Sequence, residues 1–355
     1  MTGTPGSVLI VGSGLIGASI GLGLHRRGTR VWLQDDDPEA VEVARSRGAG
    51  EPGPPQGDPD VVIVAVPPAA AASVVSWALN TYLTATVSDV ASTKAHLQQE
   101  VEITGSDISR FVPGHPLAGR EVSGAAAARA DLFADRVWAL TPSARTDPAR
   151  TAAVAALATS LGALVVRTTP EAHDRAVALT SHTPQVVSSL VAAGLAPLDE
   201  ADVRLSGQGL RDVTRLASSD PTLWTEILTS NAGPVADALD GLVARLEVVR
   251  DGLRAGRPDE VRAALAAGVD GSRHVPGKHG SQPVPYVVVP VLIADRPGEL
   301  GRLFASVGET GVNLEDVRID HAQGRPTGIV ELEVRPERAG DLAAGLRAAG
   351  YEVRD

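Results

Sequence analysis

The 355-residue sequence has no cysteine, one methionine and only 3% aromatic residues. The first absence excludes disulfides, thiol nucleophiles and cysteine-ligated zinc together. The shortage of aromatics means that cores must be built from Ala, Val and Leu. With 43% hydrophobic residues the chain can still bury a good interior. Positive charge is short as well: 32 Lys and Arg face 43 Asp and Glu, a net charge of −11. No Lys/Arg cluster offsets it, which argues against nucleic acid as a partner. The N-terminus, MTGTPGSVLIVG, has no basic region followed by an apolar run and a cleavage site, so no signal peptide is expected. Val61 to Leu79 is mostly apolar, but Pro67 and Pro68 interrupt it and an acidic turn at Asp58 and Asp60 precedes it. It reads as a buried strand, a turn and a helix rather than a membrane span. The expected location is the cytoplasm. The length predicts two or three domains.

What the sequence does have begins with SVLIVGSGLIGASIGLGLHRRG. A short apolar run, Val8 to Val11, suits a buried parallel strand. It is followed by Gly12, Gly14 and Gly17 in G-x-G-x-x-G spacing, with Leu15 and Ile16 opening a helix that ends near Gly28. Gly12 makes the tight turn, Gly14 lets a pyrophosphate approach the backbone, and Gly17 lets helix and strand pack closely. Free N–H groups at the helix start hold the phosphates. The next strand, Arg30 to Leu33, runs into Asp35, about 20 residues on, where an acid binds a ribose 2′-hydroxyl. A carboxylate there repels a 2′-phosphate, so the expected cofactor is NAD rather than NADP. The rest of residues 1–169 alternates strand and helix, as a doubly wound Rossmann-type sheet should. One strand ends at Val66-Pro67-Pro68 beside the cofactor and another at Asp89-Val90-Ala91-Ser92-Thr93-Lys94. Ligands sit at such carboxyl ends, so Ser92 and Lys94 are candidates; equally, Ser92 could cap the helix starting near Lys94.

The stretch PGHPLAGRE, Pro113 to Glu121, sets His115 between glycines and before a proline. Pro116 biases His115 away from helix. An imidazole on a short, glycine-flanked loop is suited to proton transfer near neutral pH. From Thr169 the strand signals stop, and residues 170–270 read as all-helical. His173 and His182 are nine residues apart, on different faces of a regular helix unless Pro184 bends it, and a lone histidine there is more often a core group. Asp212 and Arg215 share a face at i and i+3, either pairing with each other or leaving the Arg215 fork for a ligand carboxylate. Trp224 reads as packing. ALDGLVARLEVVRDGL suits bundle packing or a dimer partner.

The stretches GSGLIGAS, SDVASTK, GHPLAGRE, HDRAVALTSHTP and GLRDVTRLASSDPTLW together resemble the prephenate dehydrogenase family, which includes arogenate and cyclohexadienyl dehydrogenases. The resemblance spans about residues 7 to 260. It implies NAD(P)-dependent oxidation of the ring hydroxyl of prephenate with loss of CO₂, giving 4-hydroxyphenylpyruvate on the way to tyrosine. By position it makes His115 the group that deprotonates the hydroxyl and Ser92 its neighbour. It makes Arg215 the carboxylate anchor, with Asp212 and Trp224 nearby. Glu121 matches an acid near the entrance, and a homodimer through the helical domain is implied. His182 matches the first histidine of an S-H-x-P-H run, whose second histidine is replaced here by Gln185. Glutamine cannot carry positive charge toward a carboxylate, which leaves arogenate open as substrate. A non-catalytic NAD and amino-acid sensor is a third reading. No metal is required.

Residues 271–284 (GSRHVPGKHGSQPV) read as a linker, with His274 and His279 inside it. Residues 285–355 then read as βαββαβ, a ferredoxin-like unit, with a second strand opening at Val312-Asn313-Leu314. DRPGEL with the later Gly-Val-Asn resembles the ACT domain, a small-molecule regulatory module. That resemblance implies an amino-acid site at Asp295, Pro297, Gly298, Leu300 and Asn313, with tyrosine as the expected effector. A purely dimerising role is the other reading.

Overall fold

The computed structural model describes residues 5–119, 122–275, 286–321 and 327–354. Glu121 and His279 lie outside them. Strand β1 (Ser7–Val11) leads into α1 (Leu15–His25), β2 (Arg30–Gln34), α2 (Pro38–Ser46) and the short β3 (Glu51–Pro52). Then follow β4 (Val61–Val64), α3 (Pro68–Thr81), β5 (Thr86–Asp89), α4 (Ala95–Ile103) and β6 (Phe111–Val112). They form a six-stranded sheet in order β3-β2-β1-β4-β5-β6, every pairing parallel. Burial on both faces explains why its central strands carry unbroken apolar runs, Val8–Val11 and Val61–Val64. Val8, Ile10, Val61 and Ile63 pack on one side with Ile20 and Leu24 of α1. Leu9, Val62, Val64 and Val87 pack on the other with Val75 and Leu79 of α3. Each such side chain contributes roughly 1.5–3 kcal/mol on burial. The apolar stretch from Val61 to Leu79 is therefore a strand, a turn and a helix, and among the described residues no helix is long and apolar enough to cross a membrane.

The expected single sheet divides after β6. Pro113 has no N–H to continue a parallel ladder, and the chain turns into β7 (Gly114–Pro116). This strand pairs antiparallel with β8 (Val137–Leu140), and β8 pairs parallel with β9 (Leu164–Arg167) across α5 (Pro148–Ser160). His115 thus sits on a strand opposite Ala139, not on a loop.

The helical stretch begins where the Thr169 side chain accepts from Ala172 N and Pro170 occupies the first turn. It comprises α6 (Pro170–Val177), a wide π-type turn at Ala178–His182, and α7 (Thr183–Ala193). There follow α8 (Glu200–Val203), α9 (Gln208–Thr214), a tight turn at Arg215–Ser218, α10 (Pro221–Ser230), α11 (Ala232–Arg254) and α12 (Pro258–Ser272). Two compact units divide the chain at residues 244 and 245, inside α11.

The second unit holds β10 (Val287–Ala294), α13 (Glu299–Glu309), β11 (Asp316–His321), β12 (Thr327–Val334), α14 (Pro336–Ala348) and β13 (Glu352–Val353). The strands pair antiparallel in order β11-β12-β10-β13. Val289, Val291, Val330 and Leu332 share a core with Leu303 and Val307 of α13 and Leu342 and Leu346 of α14. Asp295, Pro297 and Gly298 form the exposed turn between β10 and α13, with Gly298 at φ +86°, and Leu300 packs on the core. Asn313 lies in the connection before β11 rather than opening the strand, which starts at Asp316.

Candidate active site

At the carboxyl end of the parallel sheet lies a cavity of about 1910 Å³. Gly12 opens its floor at φ +105°, where an added Cβ would meet Ala65 O at 2.2 Å. A Cβ on Gly17 would meet Gly12 O at 1.9 Å, whereas Gly14 has nothing within 4 Å. Gly12 and Gly17 thus close the turn against the sheet, and Gly14 leaves bare backbone on the cavity wall beside Leu15 and Ile16. Asp35 follows β2 and is steered by two backbone donors, Ser13 N at 2.5 Å and Asp37 N at 2.9 Å. Val66 lines the same wall after β4. A glycine turn, an uncapped helix start and an acid at the end of β2 are the donor set that a dinucleotide with a free 2′-hydroxyl requires. These residues fit NAD.

Farther along the cavity lie Ser92, His115, His182, Gln185, Arg215 and Trp224. Ser92 does not cap α4, which starts without a side-chain cap. Lys94, the other candidate at this strand end, turns away from the cavity. It is fully buried, its Nζ bonded to the Asp89 carboxylate and, at 2.7 Å, to Gly114 O. Burial pushes its pKa down, against the pull of Asp89 and Asp174. Asp89 also accepts from Ala91 N and Gly114 N, so the pair grips the residue before His115 by both its N–H and its carbonyl.

His115 Nδ1 lies 2.9 Å from His173 Nε2, and His173 Nδ1 lies 2.8 Å from Asp174 Oδ1. Asp174 in turn accepts from Lys94 N and Ala95 N at the start of α4. Burial, the largest effect, raises the Asp174 pKa, but the hydrogen bonds from His173, Ala95 and Lys94 hold it below its ordinary value. Burial, then the proximity of His173, Lys94 and His182, holds the His115 pKa well below 6.5. His173 is therefore not an isolated core histidine. Nine residues at 3.6 per turn would have put it opposite His182; the π-type turn between them changes the phase and brings both into one buried cluster. His182 is 1% exposed, and burial lowers its pKa. Asn231 Nδ2 donates both to Asp174 O at 2.8 Å and to His182 Nδ1 at 3.1 Å, which leaves the His182 proton on Nε2. The His182 ring stands edge-on to Trp224 at 6.1 Å.

Gln185 Nε2 donates to Leu216 O at 2.9 Å and so ties α7 to the turn that carries Arg215. Asp212 accepts from Gln208. Reasoning from sequence missed His173, Asp174, Asp89 and Asn231 as site components. The adjacent His-Asp pair after the Thr169 cap was the signal available for the first two.

The prephenate dehydrogenase nucleotide-binding domain family matches residues 20–167. The prephenate dehydrogenase dimerization domain family matches residues 169–267. A probable prephenate dehydrogenase, NovF, of Streptomyces niveus is 37% identical over 352 residues, covering 96% of this chain and 97% of that protein. The prephenate dehydrogenase of Bacillus subtilis is 28% identical over 258 residues, 71% of this chain and 68% of its own length. Among solved structures, A. aeolicus prephenate dehydrogenase in complex with hydroxyphenyl propionate and NAD+ is similar at a TM-score of 0.69 and 28% identity, over 75% of this chain and 96% of that one. Synechocystis arogenate dehydrogenase is similar at 0.65 and 27%, over 75% and 98%. The chain belongs to the prephenate dehydrogenase family.

Proposed function

We propose that the protein catalyses the NAD-dependent oxidative decarboxylation of prephenate to 4-hydroxyphenylpyruvate, in tyrosine biosynthesis. The observation that carries this reading is a single cavity lined by both Gly14 and Asp35 at one part and Ser92, His115 and Arg215 at another. When bound, NAD supplies the acceptor for hydride from the hydroxyl-bearing ring carbon. His115, neutral at pH 7, takes the hydroxyl proton. Loss of the ring carboxylate as CO₂ leaves its electron pair in the ring, and the oxygen becomes a phenolate to which His115 can return that proton. Ser92 orients the hydroxyl, and Arg215 grips a carboxylate with its planar fork. His182 offers its Nε2–H as a neutral donor to the substrate, and Gln185 and Glu121 complete the substrate-binding set. Gly12, Gly14, Leu15, Ile16, Gly17, Asp35 and Val66 hold the cofactor.

NADH formation with prephenate or arogenate, each with NAD or NADP, tests the reading. Turnover with prephenate and NAD is expected, and no turnover with either acid would leave a non-catalytic sensor. Arogenate is the second reading, favoured by Gln185 in place of a histidine that could face a pyruvyl carboxylate. Arg215→Ala is expected to raise KM about 10- to 100-fold, the loss of one charge-assisted contact, with kcat changed much less. An unchanged KM in steady-state assays would remove Arg215 from the substrate site.

The domain scheme in this proposal is an NAD-binding domain over residues 1–169, a helical substrate and dimerisation domain over 170–270, a linker over 271–284 and an ACT regulatory domain over 285–355. The protein acts as a cytoplasmic homodimer. The strand order β11-β12-β10-β13 with both helices on one core supports a ferredoxin-like reading of the last domain. Asp295, Pro297, Gly298, Leu300 and Asn313 then form an effector site. Titration calorimetry with tyrosine is expected to show binding that Gly298→Val abolishes, because Gly298 adopts a φ of +86°. Absence of heat with any aromatic amino acid would leave dimerisation as the module's role.

A further inference from the structure

Two hydrogen bonds join His115, His173 and Asp174. A carboxylate only accepts, so His173 Nδ1 carries the proton facing Asp174 Oδ1 at 2.8 Å. With that as its one ring proton, His173 presents a lone pair on Nε2, and His115 Nδ1, 2.9 Å away, is then the donor. In that arrangement His115 holds the tautomer whose Nε2 is unprotonated. Among the described residues no group hydrogen-bonds to that nitrogen, and the ring lines the cavity.

We propose that His173, oriented by Asp174, is a positioning residue that sets the tautomer of His115 and shares the positive charge when His115 accepts the substrate's proton. The inference rests on the assignment of His115 as the base. In the step concerned, the substrate O–H bond breaks and an Nε2–H bond forms on His115, while the electron pair of the O–H bond goes to the new C=O and hydride goes to bound NAD. His115, now an imidazolium, donates a charge-assisted Nδ1–H bond to His173, whose own Nδ1–H bond to Asp174 strengthens in turn. Because the proton returns to the phenolate after CO₂ leaves, the charge has to be held only briefly and no exit path is needed. A hydrogen-bond chain closed at its far end suits such brief storage, and here the far end is closed, with His173 4% and Asp174 3% exposed. Asp174 is itself pinned by Lys94 N at 2.9 Å and Ala95 N at 2.8 Å, so the chain ends on a carboxylate with no freedom to turn.

The arrangement is tested on the full-length, NAD-bound protein labelled with ¹⁵N-histidine. The expected spectrum has His115 protonated on Nδ1 and bare on Nε2; a proton on Nε2 in the unsubstituted protein overturns the proposal without reference to any variant or to activity. In the prephenate assay His173→Leu is expected to lose roughly 10²-fold or more in kcat with KM within about threefold, set beside the ~10⁴-fold that a wrong imidazole tautomer costs serine proteases. His173→Gln can accept from His115 and donate to Asp174 through one amide, so it is expected to keep the Nδ1–H signal and recover at least about tenfold of that loss. Equal kcat in the Leu variant and the parent overturns the proposal. Failure of turnover in the parent, with the Nδ1–H signal present, would instead overturn the assignment of substrate.

Discussion

His115→Asn is expected to lower kcat by roughly 10²–10⁴ while leaving KM for prephenate within about threefold, because it deletes one positioned base and no substrate anchor. Asparagine keeps a polar group at the position but cannot take up a proton at neutral pH. The parent enzyme should also show a characteristic pH profile. Only neutral His115 can act, so activity falls as pH drops through its pKa, which burial and the neighbouring His173, Lys94 and His182 place well below 6.5. The acid limb of kcat/KM is therefore expected below pH 6.5, and the Asn variant should lack it. A variant that kept most of its kcat, or a limb that survived the substitution unchanged, would move the base to another residue.

The largest expected effect on stability is that of Asp89→Ala. It strands the Lys94 ammonium, at 0% exposure, with Gly114 O as its remaining hydrogen-bond partner in this cluster, and leaves Gly114 N and Ala91 N unsatisfied. Removing one partner of a buried ion pair costs about 3–5 kcal/mol, readable as a fall in urea midpoint at pH 7. The loss should shrink as pH rises toward 10.5, the ordinary lysine value. Without Asp89 to offset burial, the folded Lys94 pKa falls further below that value, so between the two the unfolded chain binds more protons and stability rises with pH. Adding Lys94→Met should restore part of the loss, since an apolar chain of similar length carries no charge to desolvate. An Asp89→Ala midpoint equal to that of the parent would mean that the pair does not clamp the strand before His115.

The candidate dinucleotide site can be read from sequence because it depends on local backbone demands. Gly12 must adopt a positive φ, Gly17 must lack a Cβ, and Asp35 must follow the second strand, and all three requirements are written at short spacing. The starts of α5 and α6 are likewise local, set by the Asp147 and Thr169 caps with prolines at the first turn. Lys94 was misread because a lysine at a strand end looks like a ligand group until its buried carboxylate partner, five residues earlier, is placed by the turn of β5 into α4.

By itself the sequence determined the cofactor class, the strand-and-helix alternation, the presence of His115 and Arg215, and the family. Each rests on residue type at fixed spacing. Only the tertiary structure decided that His115 turns its Nδ1 toward His173. That depends on His173, 58 residues away, reaching β7 from α6. Local pattern carries no information about such a contact, because it forms only when sheet and helices pack together and burial forces every polar atom to find a partner.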